Sequence, residues 1–423
     1  MKKLQISVLF LTTLFFLSCF KDDDTPIIIE ETTIIQNGGG GNSSGTEIVA
    51  ISGAITQDVT WTNDKIYQLN QKVVVEDGVT LTIDPGTIIK GAPGSGSLAS
   101  ALIIARGGKI NAIGTAQSPI IFTSTSDNID IDQTSGTNLD QNNRGLWGGL
   151  IILGKAPGSF SGDVTEIQIE GVPADDTFGL YGGNEPNDNS GILQYVSIRH
   201  GGALIGEGNE INGLTLGSVG NGTVIDNIEV VANVDDGIEL FGGTVNPTNL
   251  LVWAQGDDGL DIDQAYAGTI DNAVVVLGDF SDHAFEIDGP EGSATGSFTI
   301  QNVTIMGNLN TDNGEYADFR SNAMGSTQNI YAYGFKAESD IELDNDGVAT
   351  NYNDGILTFS NWEIVLPNGV ASVEDLFKNK AQNVVVSGFG SEATAVTQGS
   401  QTVGADTSKL SWTYANTKAN LGF

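Results

Sequence analysis

Carboxylates recur in matching segments of this 423-residue chain. The segment 235–240 reads DDGIEL, and the segment 257–262, which starts 22 residues later, reads DDGLDI. Segments 282–287 and 339–343 continue the pattern. If these segments lie directly over one another, their carboxylates form files with about 4.8 Å between levels. Charges that close raise one another's pKa or require a cation.

Two interpretations of these files are open. Asp-Gly is a common turn pair, so the carboxylates could simply mark turns and face water. Alternatively, the files bind a cation or a glycan, because Ca²⁺ prefers oxygen ligands and carboxylates accept hydrogen bonds from sugar hydroxyls. In the second interpretation Ca²⁺ is the candidate cofactor, and the candidate metal ligands are Asp236, Asp258, Asp261, Asp263 and Glu286.

The overall composition excludes several classes of function. The chain has 17 Lys+Arg against 53 Asp+Glu, a net charge of −36, so it cannot neutralise a run of nucleic-acid phosphates. Two histidines and one cysteine exclude a multi-histidine zinc site, a cysteine metal cluster and an intramolecular disulfide. Hydrophobic residues make up 39%, which is enough for a folded core.

A second repeat predicts the elements that position the carboxylates. Short runs of alternating apolar residues, bounded by Gly, Asn and Asp, indicate strands. An asparagine opens one such run at intervals of 22 to 32 residues, which is typical of a solenoid. We therefore predict an all-β right-handed parallel β-helix, in which a ladder of stacked side-chain amides is formed by Asn227, Asn249, Asn272, Asn302, Asn329, Asn361 and Asn383.

Other features of the repeat refine this prediction. A leucine-rich horseshoe is disfavoured, because the apolar positions are Val and Ile as often as Leu. Roughly ten to thirteen levels fit the length. Residues 46–70 and a short helix with Trp412 are the predicted caps, and 373–380 is predicted as a short helix.

Several motifs resemble a family of secreted lipoproteins. Segments 107–115, 145–150, 235–244 and 256–264 together are similar to segments of a widespread, mostly uncharacterised family of β-helix lipoproteins. The similarity covers nearly all of the chain after residue 46. It implies the same fold and no agreed activity.

Two shorter motifs resemble an enzyme signature. Segments 233–235 (NVD) and 256–258 (GDD) are similar to the NTD and GDD signatures of polygalacturonase-type glycoside hydrolases. The resemblance implies two water-activating carboxylates, one acid, an assisting histidine and an arginine that holds a uronate, which are respectively Asp235 and Asp257, Asp258, His283 and Arg320. The histidine lacks flanking glycines and no Arg-x-Lys follows, so the signature is incomplete.

The N-terminal segment predicts an exported lipoprotein. Two lysines precede an apolar run over 4–17, which is too short to span a bilayer, and Cys19 follows at the break. We predict a signal peptide at 1–18, a lipidated and palmitoylated Cys19, a flexible tether over 19–46 and a single β-helix domain over 47–423. The sequence after the cysteine, FKDDD, resembles the lipoprotein export signals of Bacteroidota, which implies an outer-membrane protein that faces outward.

These observations predict a non-catalytic surface protein. Its acidic face would bind a glycan, a divalent cation or another surface protein, and a lipid anchor would hold it on the membrane. An inverting hydrolase of the polygalacturonase type is the first alternative, and an adhesin or structural surface protein is the second.

Overall fold

The computed structural model describes residues 32–35, 46–172, 176–204 and 211–423. The predicted signal peptide and Cys19 lie outside the described residues. The strands are β1 (Thr32–Ile35), β2 (Glu47–Ile55), β3 (Val59–Trp61), β4 (Ile66–Val75), β5 (Thr80–Ile83), β6 (Ile88–Gly91), β7 (Ala101–Ile104), β8 (Lys109–Ile113), β9 (Ile120–Ser124), β10 (Leu150–Leu153), β11 (Ile167–Gln168), β12 (Leu180–Tyr181), β13 (Gly191–Arg199), β14 (Leu214–Gly217), β15 (Val224–Val231), β16 (Ile238–Phe241), β17 (Thr248–Trp253), β18 (Leu260–Asp263), β19 (Thr269–Val276), β20 (His283–Ile287), β21 (Phe298–Met306), β22 (Glu315–Phe319), β23 (Gly325–Tyr333), β24 (Ile341–Leu343), β25 (Leu357–Ile364), β26 (Phe377–Asn379) and β27 (Ala393–Ala395).

Helices are few and short. The α-helices are α1 (Asp346–Asn353) and α2 (Tyr414–Lys418), and 3₁₀ turns occur at Gly96–Leu98, Ser161–Asp163, Thr177–Gly179, Val373–Leu376 and Thr407–Leu410.

The strands form a parallel β-helix, as the sequence predicts. Each strand pairs in parallel with its copies one level above and below, and the only antiparallel pairs among the described strands are β1–β2 and β11–β12. The first sheet contains β3, β5, β8 and the N-terminal halves of the odd-numbered strands β13 to β25. The second contains β6, β9, β27, the N-terminal halves of β2 and β4, and the C-terminal halves of β13 to β25. The third contains the C-terminal halves of β2 and β4, then β7, β10, β14, β16, β18, β20, β22, β24 and β26.

The asparagine repeat marks the corner between the first and second sheets. Asn227, Asn249, Asn272, Asn302, Asn329 and Asn361 each have a φ between 52° and 62° and are skipped by the strand pairing on either side. Asparagine tolerates this left-handed conformation better than most residues, so one asparagine turns the chain without a loop.

The side-chain amides of this corner also bond along the axis. Asn272 donates to Asn249 at 2.6 Å, Asn329 donates to Asn302 at 3.0 Å, and Asn361 donates to Asn329 at 3.1 Å. Asn249 and Asn302 donate instead to aspartates of the preceding level. Each bond satisfies polar groups that are partly removed from water.

The seventh predicted member of the ladder, Asn383, is outside it. This residue follows β26 in an irregular segment, and its side chain donates to Asp346 at 2.6 Å. The ladder ends at Asn361 because β27 pairs only with Trp362–Ile364, and Glu392 precedes it.

The interior of the solenoid is filled by stacked apolar side chains. In the third sheet Leu240, Ile262, Ile287, Phe319 and Leu343 lie in register, and each is at most 1% exposed. Burial of one such side chain contributes about 1.5–3 kcal/mol. Because alternate residues point inward, the residues between them must point outward.

The predicted end structures differ from those observed. Residues 46–70 form ordinary levels of the solenoid, and β1 adds an antiparallel strand at their edge. The predicted helix 373–380 is only a 3₁₀ turn followed by β26, because Phe377 pairs with Ile341 and extends the third sheet.

The C-terminal segment runs back along the outer face of the second sheet. Ala405 donates its backbone N–H to Thr304 in β21, and Ala415 donates to Glu229 in β15. The ring of Trp412 lies 5.5 Å from that of Tyr195 in β13. The segment around Trp412 therefore covers the side of the solenoid and does not cap its end.

The acidic face of the third sheet

Five carboxylates lie in register on the outer face of the third sheet. Strand pairing joins them on five successive levels in the order Glu239, Asp261, Glu286, Asp318 and Glu342, which we call the central file. They point outward because each lies between two inward-pointing apolar residues. The columns that the sequence predicts are therefore present.

The central file is far less exposed than an ordinary acidic surface. Glu239 and Asp318 are each 6% exposed, and Asp261 and Glu342 are each 7% exposed. The expectation that these groups simply face water is therefore wrong for this file. Burying a carboxylate is costly unless it is paired, bonded or protonated.

The Asp-Gly pairs that precede the strands serve packing between sheets. A Cβ on Gly237 would lie 2.3 Å from Val252 Cγ1, and one on Gly259 would lie 2.5 Å from Val275 Cγ1. Neither glycine has a positive φ. The absence of a Cβ at each glycine therefore lets the second sheet approach closely, while the preceding aspartate stays outside the apolar interior.

Built-in cations serve the C-terminal part of the central file. Arg320 forms ion pairs with Glu286, with Asp288 at 2.6 Å and with Asp318 at 4.0 Å. Lys380 pairs with Glu342, and with Asp340 at 3.8 Å. These contacts compensate three of the five carboxylates.

His283 supplies a positive charge to Asp258, which lies beside the central file, and to Glu286, which belongs to it. Its Nδ1 lies 2.9 Å from Asp258 and 3.8 Å from Glu286. Burial alone would lower the pKa of His283, but the hydrogen bond and charge of Asp258 raise it to about 9. The ring is therefore an imidazolium at neutral pH and donates to Asp258.

At the N-terminal end of the file, Asp236, Glu239 and Asp261 form a cluster that we call the buried triad. One oxygen from each lies within 4.8 Å of the others, and Asp236 is 6% exposed. Burial raises the pKa of all three carboxyls well above the usual range, and the charges of neighbouring carboxylates, which for Asp236 are Asp258 and Asp235, raise it further.

A more accessible pair of carboxylates borders the buried triad. Oxygens of Asp235 and Asp257 lie within 4.8 Å of each other and of Asp236. Although Asp257 is exposed, desolvation by its neighbours and the charges of Asp258 and Asp282 raise its pKa to about 6. Phe280 lies on the same side of the face, 63% exposed, and its ring is 4.4 Å from the Arg144 guanidinium.

A groove borders the opposite side of the face. It has a volume of about 560 Å³ and is lined by Asp263, Asp288 and Glu291 together with Ser161 and Asn322. Burial, followed by the charges of Asp288 and Glu291, raises the pKa of Asp263 to about 7. The groove is therefore rich in hydrogen-bond acceptors.

The structure divides the predicted metal ligands among three places. Asp236 and Asp261 meet in the buried triad, Asp258 and Glu286 surround His283, and Asp263 lines the groove. The prediction missed Glu239 and the neighbouring Asn212, whose side chain donates to Glu239. A signal existed, because 212–216 (NGLTL) repeats the pattern of 236–240 (DGIEL) on the preceding level.

The predicted catalytic residues are neighbours, but two of them are engaged. Asp235, Asp257, Asp258 and His283 lie on successive levels, and Arg320 lies at the end of the level after His283. Asp258 is 3% exposed and accepts two bonds from His283, so little of it can reach a substrate. Arg320 is bound by three carboxylates.

The fold and this face define a parallel β-helix with an acidic surface. Residues 53–417 match the model of a family described as the pectate-lyase-like β-helix domain, and the chain belongs to that family. No protein of curated function matches the sequence.

One solved structure is similar over part of its length. It is tailspike protein 2 (TSP2, ORF211) of Escherichia coli O157:H7 bacteriophage CAB120, with 12% sequence identity and a TM-score of 0.23. The match covers 75% of this chain and 42% of the tailspike chain, so this chain spans less than half the tailspike's length. Among the described residues no helix has the length and apolar character needed to cross a bilayer.

Proposed function

We propose that this protein is a lipid-anchored surface protein that binds a glycan, without cleaving it, on the outer face of the third sheet. The observation that carries the proposal is the set of in-register carboxylates with an acceptor-rich groove on one side and an exposed aromatic ring on the other. Membership of the pectate-lyase-like β-helix family fits a glycan-directed role.

The chemistry of this face suits sugars. Carboxylate oxygens accept hydrogen bonds from sugar hydroxyls, and the accessible acceptors are the acids that border the central file, Asp257 on one side and Glu291 in the groove on the other. Phe280 offers an apolar ring of the kind that packs against sugar rings. Asp288, at the edge of the groove, lies 2.6 Å from Arg320, which fixes its carboxylate.

The proposal is tested by binding of the full-length protein to a panel of neutral and acidic polysaccharides. We expect Phe280→Ala and Asp288→Asn each to weaken binding about tenfold, which is the loss of one good contact. Leu98→Ala is the matched control, because Leu98 is 58% exposed on a level near the N-terminus. Unchanged binding in both test variants would contradict the proposed site.

A second candidate function is hydrolysis of a glycan. It is favoured by the accessible Asp257, whose raised pKa suits proton transfer, beside Asp235. Inverting hydrolases keep about 6.5–9.5 Å between their two carboxyls. Oxygens of Asp235 and Asp257 lie within 4.8 Å of each other, which is closer than that spacing. New reducing ends that Asp257→Asn abolishes would establish hydrolysis and overturn the non-catalytic proposal.

The lipid anchor is the second part of the proposal. The support is the position of the only cysteine, Cys19, at the end of a short apolar run that follows two lysines. We expect incorporation of labelled palmitate into the wild-type protein and none into Cys19→Ser. Protease treatment of intact cells would then remove the folded body only if it faces outward. Labelling that survives in Cys19→Ser would refute the anchor.

A further inference from the structure

The buried triad carries a concentration of charge that no basic side chain of the described part of the chain compensates. Asp236, Glu239 and Asp261 are 6–7% exposed. No ion pair within 4.0 Å among the described residues involves any of the three, whereas every other buried member of the central file has a basic partner. Three carboxylates in this arrangement must either take up protons or hold a cation.

Two buried oxygens at the triad have no partner. Asp261 Oδ1 and Asn212 Oδ1 accept no hydrogen bond from any described residue, and Asn212 is 4% exposed. The amide nitrogen of Asn212 donates to Glu239, which places this side chain at the triad. Unsatisfied buried oxygens are uncommon in folded proteins and call for a partner such as a water or an ion. They point to a ligand independently of the charge.

We propose that Asp236, Glu239, Asp261 and the amide oxygen of Asn212 bind one calcium ion. All four donors are hard oxygen atoms, and neither imidazole nor thiolate belongs to the triad, which excludes a preference for zinc or copper. One oxygen from each carboxylate lies within 4.8 Å of the others. Two oxygens that bind the same calcium ion can be separated by up to about twice the Ca–O bond length of 2.3–2.6 Å, so this spacing fits a shared ion.

The surroundings favour calcium over magnesium. Magnesium requires near-ideal octahedral geometry at about 2.0–2.1 Å and usually keeps several waters, whereas calcium accepts irregular sets of six to eight oxygens. The triad lies on two adjacent levels of a rigid sheet, which cannot contract around a small ion. The ion would replace, at this end of the file, the charge that Arg320 and Lys380 supply at the other end.

Calorimetric titration of the EDTA-treated full-length protein with CaCl₂, without glycan, tests this inference separately from the glycan proposal. We expect one site with a Kd between about 10⁻⁶ and 10⁻³ M, the range of Ca²⁺ sites outside the tightest cytosolic buffers. Asp261→Asn is expected to weaken binding about a hundredfold. Asp318→Asn, in the same register two levels along, is the matched control and should bind calcium as the wild type does.

A second variant tests the site with all of its charges in place. Asn212→Leu retains all three carboxylates and removes only the amide oxygen, so it is expected to weaken calcium binding about tenfold. Absence of binding up to 10 mM CaCl₂ in the wild type would overturn the inference. So would equal losses in Asp261→Asn and Asp318→Asn, or binding of MgCl₂ as tight as that of CaCl₂.

Discussion

The two ends of the central file solve the same electrostatic problem in different ways. At the C-terminal end, Arg320 and Lys380 reach over the carboxylates and form ion pairs. At the N-terminal end, Asp236, Glu239 and Asp261 are equally buried and have no basic partner among the residues that the structure describes. The fold stacks acidic groups at both ends, so the sheet itself does not decide how they are neutralised.

The chemistry of this face therefore depends on the residue at the C-terminal end of each strand of the third sheet. Arg320 lies just after β22 and Lys380 just after β26, where the strand ends and the backbone turns away. At the corresponding position of the N-terminal levels the chain has Phe241 and Asp263 instead. The residue at this position thus decides whether the acids of a level have a basic side chain beside them or can bind a cation instead.

The largest expected effect is the pH dependence of stability in the calcium-free protein. The pKa of His283 is raised to about 9, so its stabilising ion pair is complete below its unfolded pKa of about 6.5 and is lost as the pH rises through 9. This residue alone should contribute about 2–3 kcal/mol.

The carboxyls whose pKa is raised change stability in the same direction. Asp263 at about 7 and Asp318 at about 6 are protonated more readily in the folded than in the unfolded chain, so folding weakens as the pH rises from about 4 to 7. Urea unfolding at pH 5.5, 7 and 8.5 should show stability decreasing at each step. Greater stability at pH 8.5 would contradict these assignments. Saturating calcium should reduce the part of this pH dependence that comes from the carboxyls of the buried triad.

The next largest effect is expected from Arg320→Met. This change leaves Glu286, Asp288 and Asp318 without their shared cation, and removing one partner of a buried pair costs about 3–5 kcal/mol. Since Arg320 is 38% exposed, we expect a loss of about 2–3 kcal/mol in the free energy of urea unfolding. A loss below 0.5 kcal/mol would show that the C-terminal half does not depend on its own cation.

A change of opposite sign is expected from Asp261→Asn in the calcium-free protein. Removal of one charge from the uncompensated triad should stabilise the fold by about 1–2 kcal/mol, because it relieves repulsion between buried carboxylates. Glu286→Gln, one level along, should instead destabilise by about 1 kcal/mol, since it breaks contacts to Arg320 and His283. Thermal unfolding of both variants in EDTA measures the contrast, and equal signs would contradict it.

The smallest effect is expected from Lys380→Met. Its side chain is 45% exposed, so its pairs with Asp340 and Glu342 are screened by water and should be worth about 0.5–1 kcal/mol. Lys155→Met is the control, because the partner of Lys155 in its 3.8 Å pair, Asp77, is 77% exposed, so this pair should contribute less. The two variants are compared by urea unfolding at low and high salt, and equal losses would show that the end of the file is not special.

The sequence predicts the levels of the solenoid because the repeat is local. At this corner one residue per level needs a left-handed backbone, and from Asn227 to Asn361 that residue is an asparagine, so the spacing of these asparagines reports the path of the chain directly. The prediction is wrong at Asn383 because this residue lies in the irregular segment between β26 and β27, where its side chain donates to Asp346. It also misses α1, which begins where the side chain of Asn345 accepts hydrogen bonds from the backbone N–H groups of Gly347 and Val348.

The site could be predicted only in outline. Matching motifs predict that the carboxylates lie in columns, and the spacing of the repeat predicts which strands pair with each other. The sequence does not reveal that Glu239 is nearly as buried as a core residue. The alternation of apolar and polar residues around it is also the pattern of a strand whose polar face is exposed. Nor does it reveal which acids Arg320 meets, since the loops between levels differ in length and fix its position only in three dimensions.

The central claim is that one end of the file lacks a cation of its own and holds calcium instead. The most direct measurement is an anomalous difference map from a crystal of the full-length protein grown with CaCl₂. One peak is expected within about 2.3–2.6 Å of oxygens of Asp236, Glu239 and Asp261. A map with no peak there, or with its strongest peak beside Glu315, Asp340 and Glu342, would contradict it.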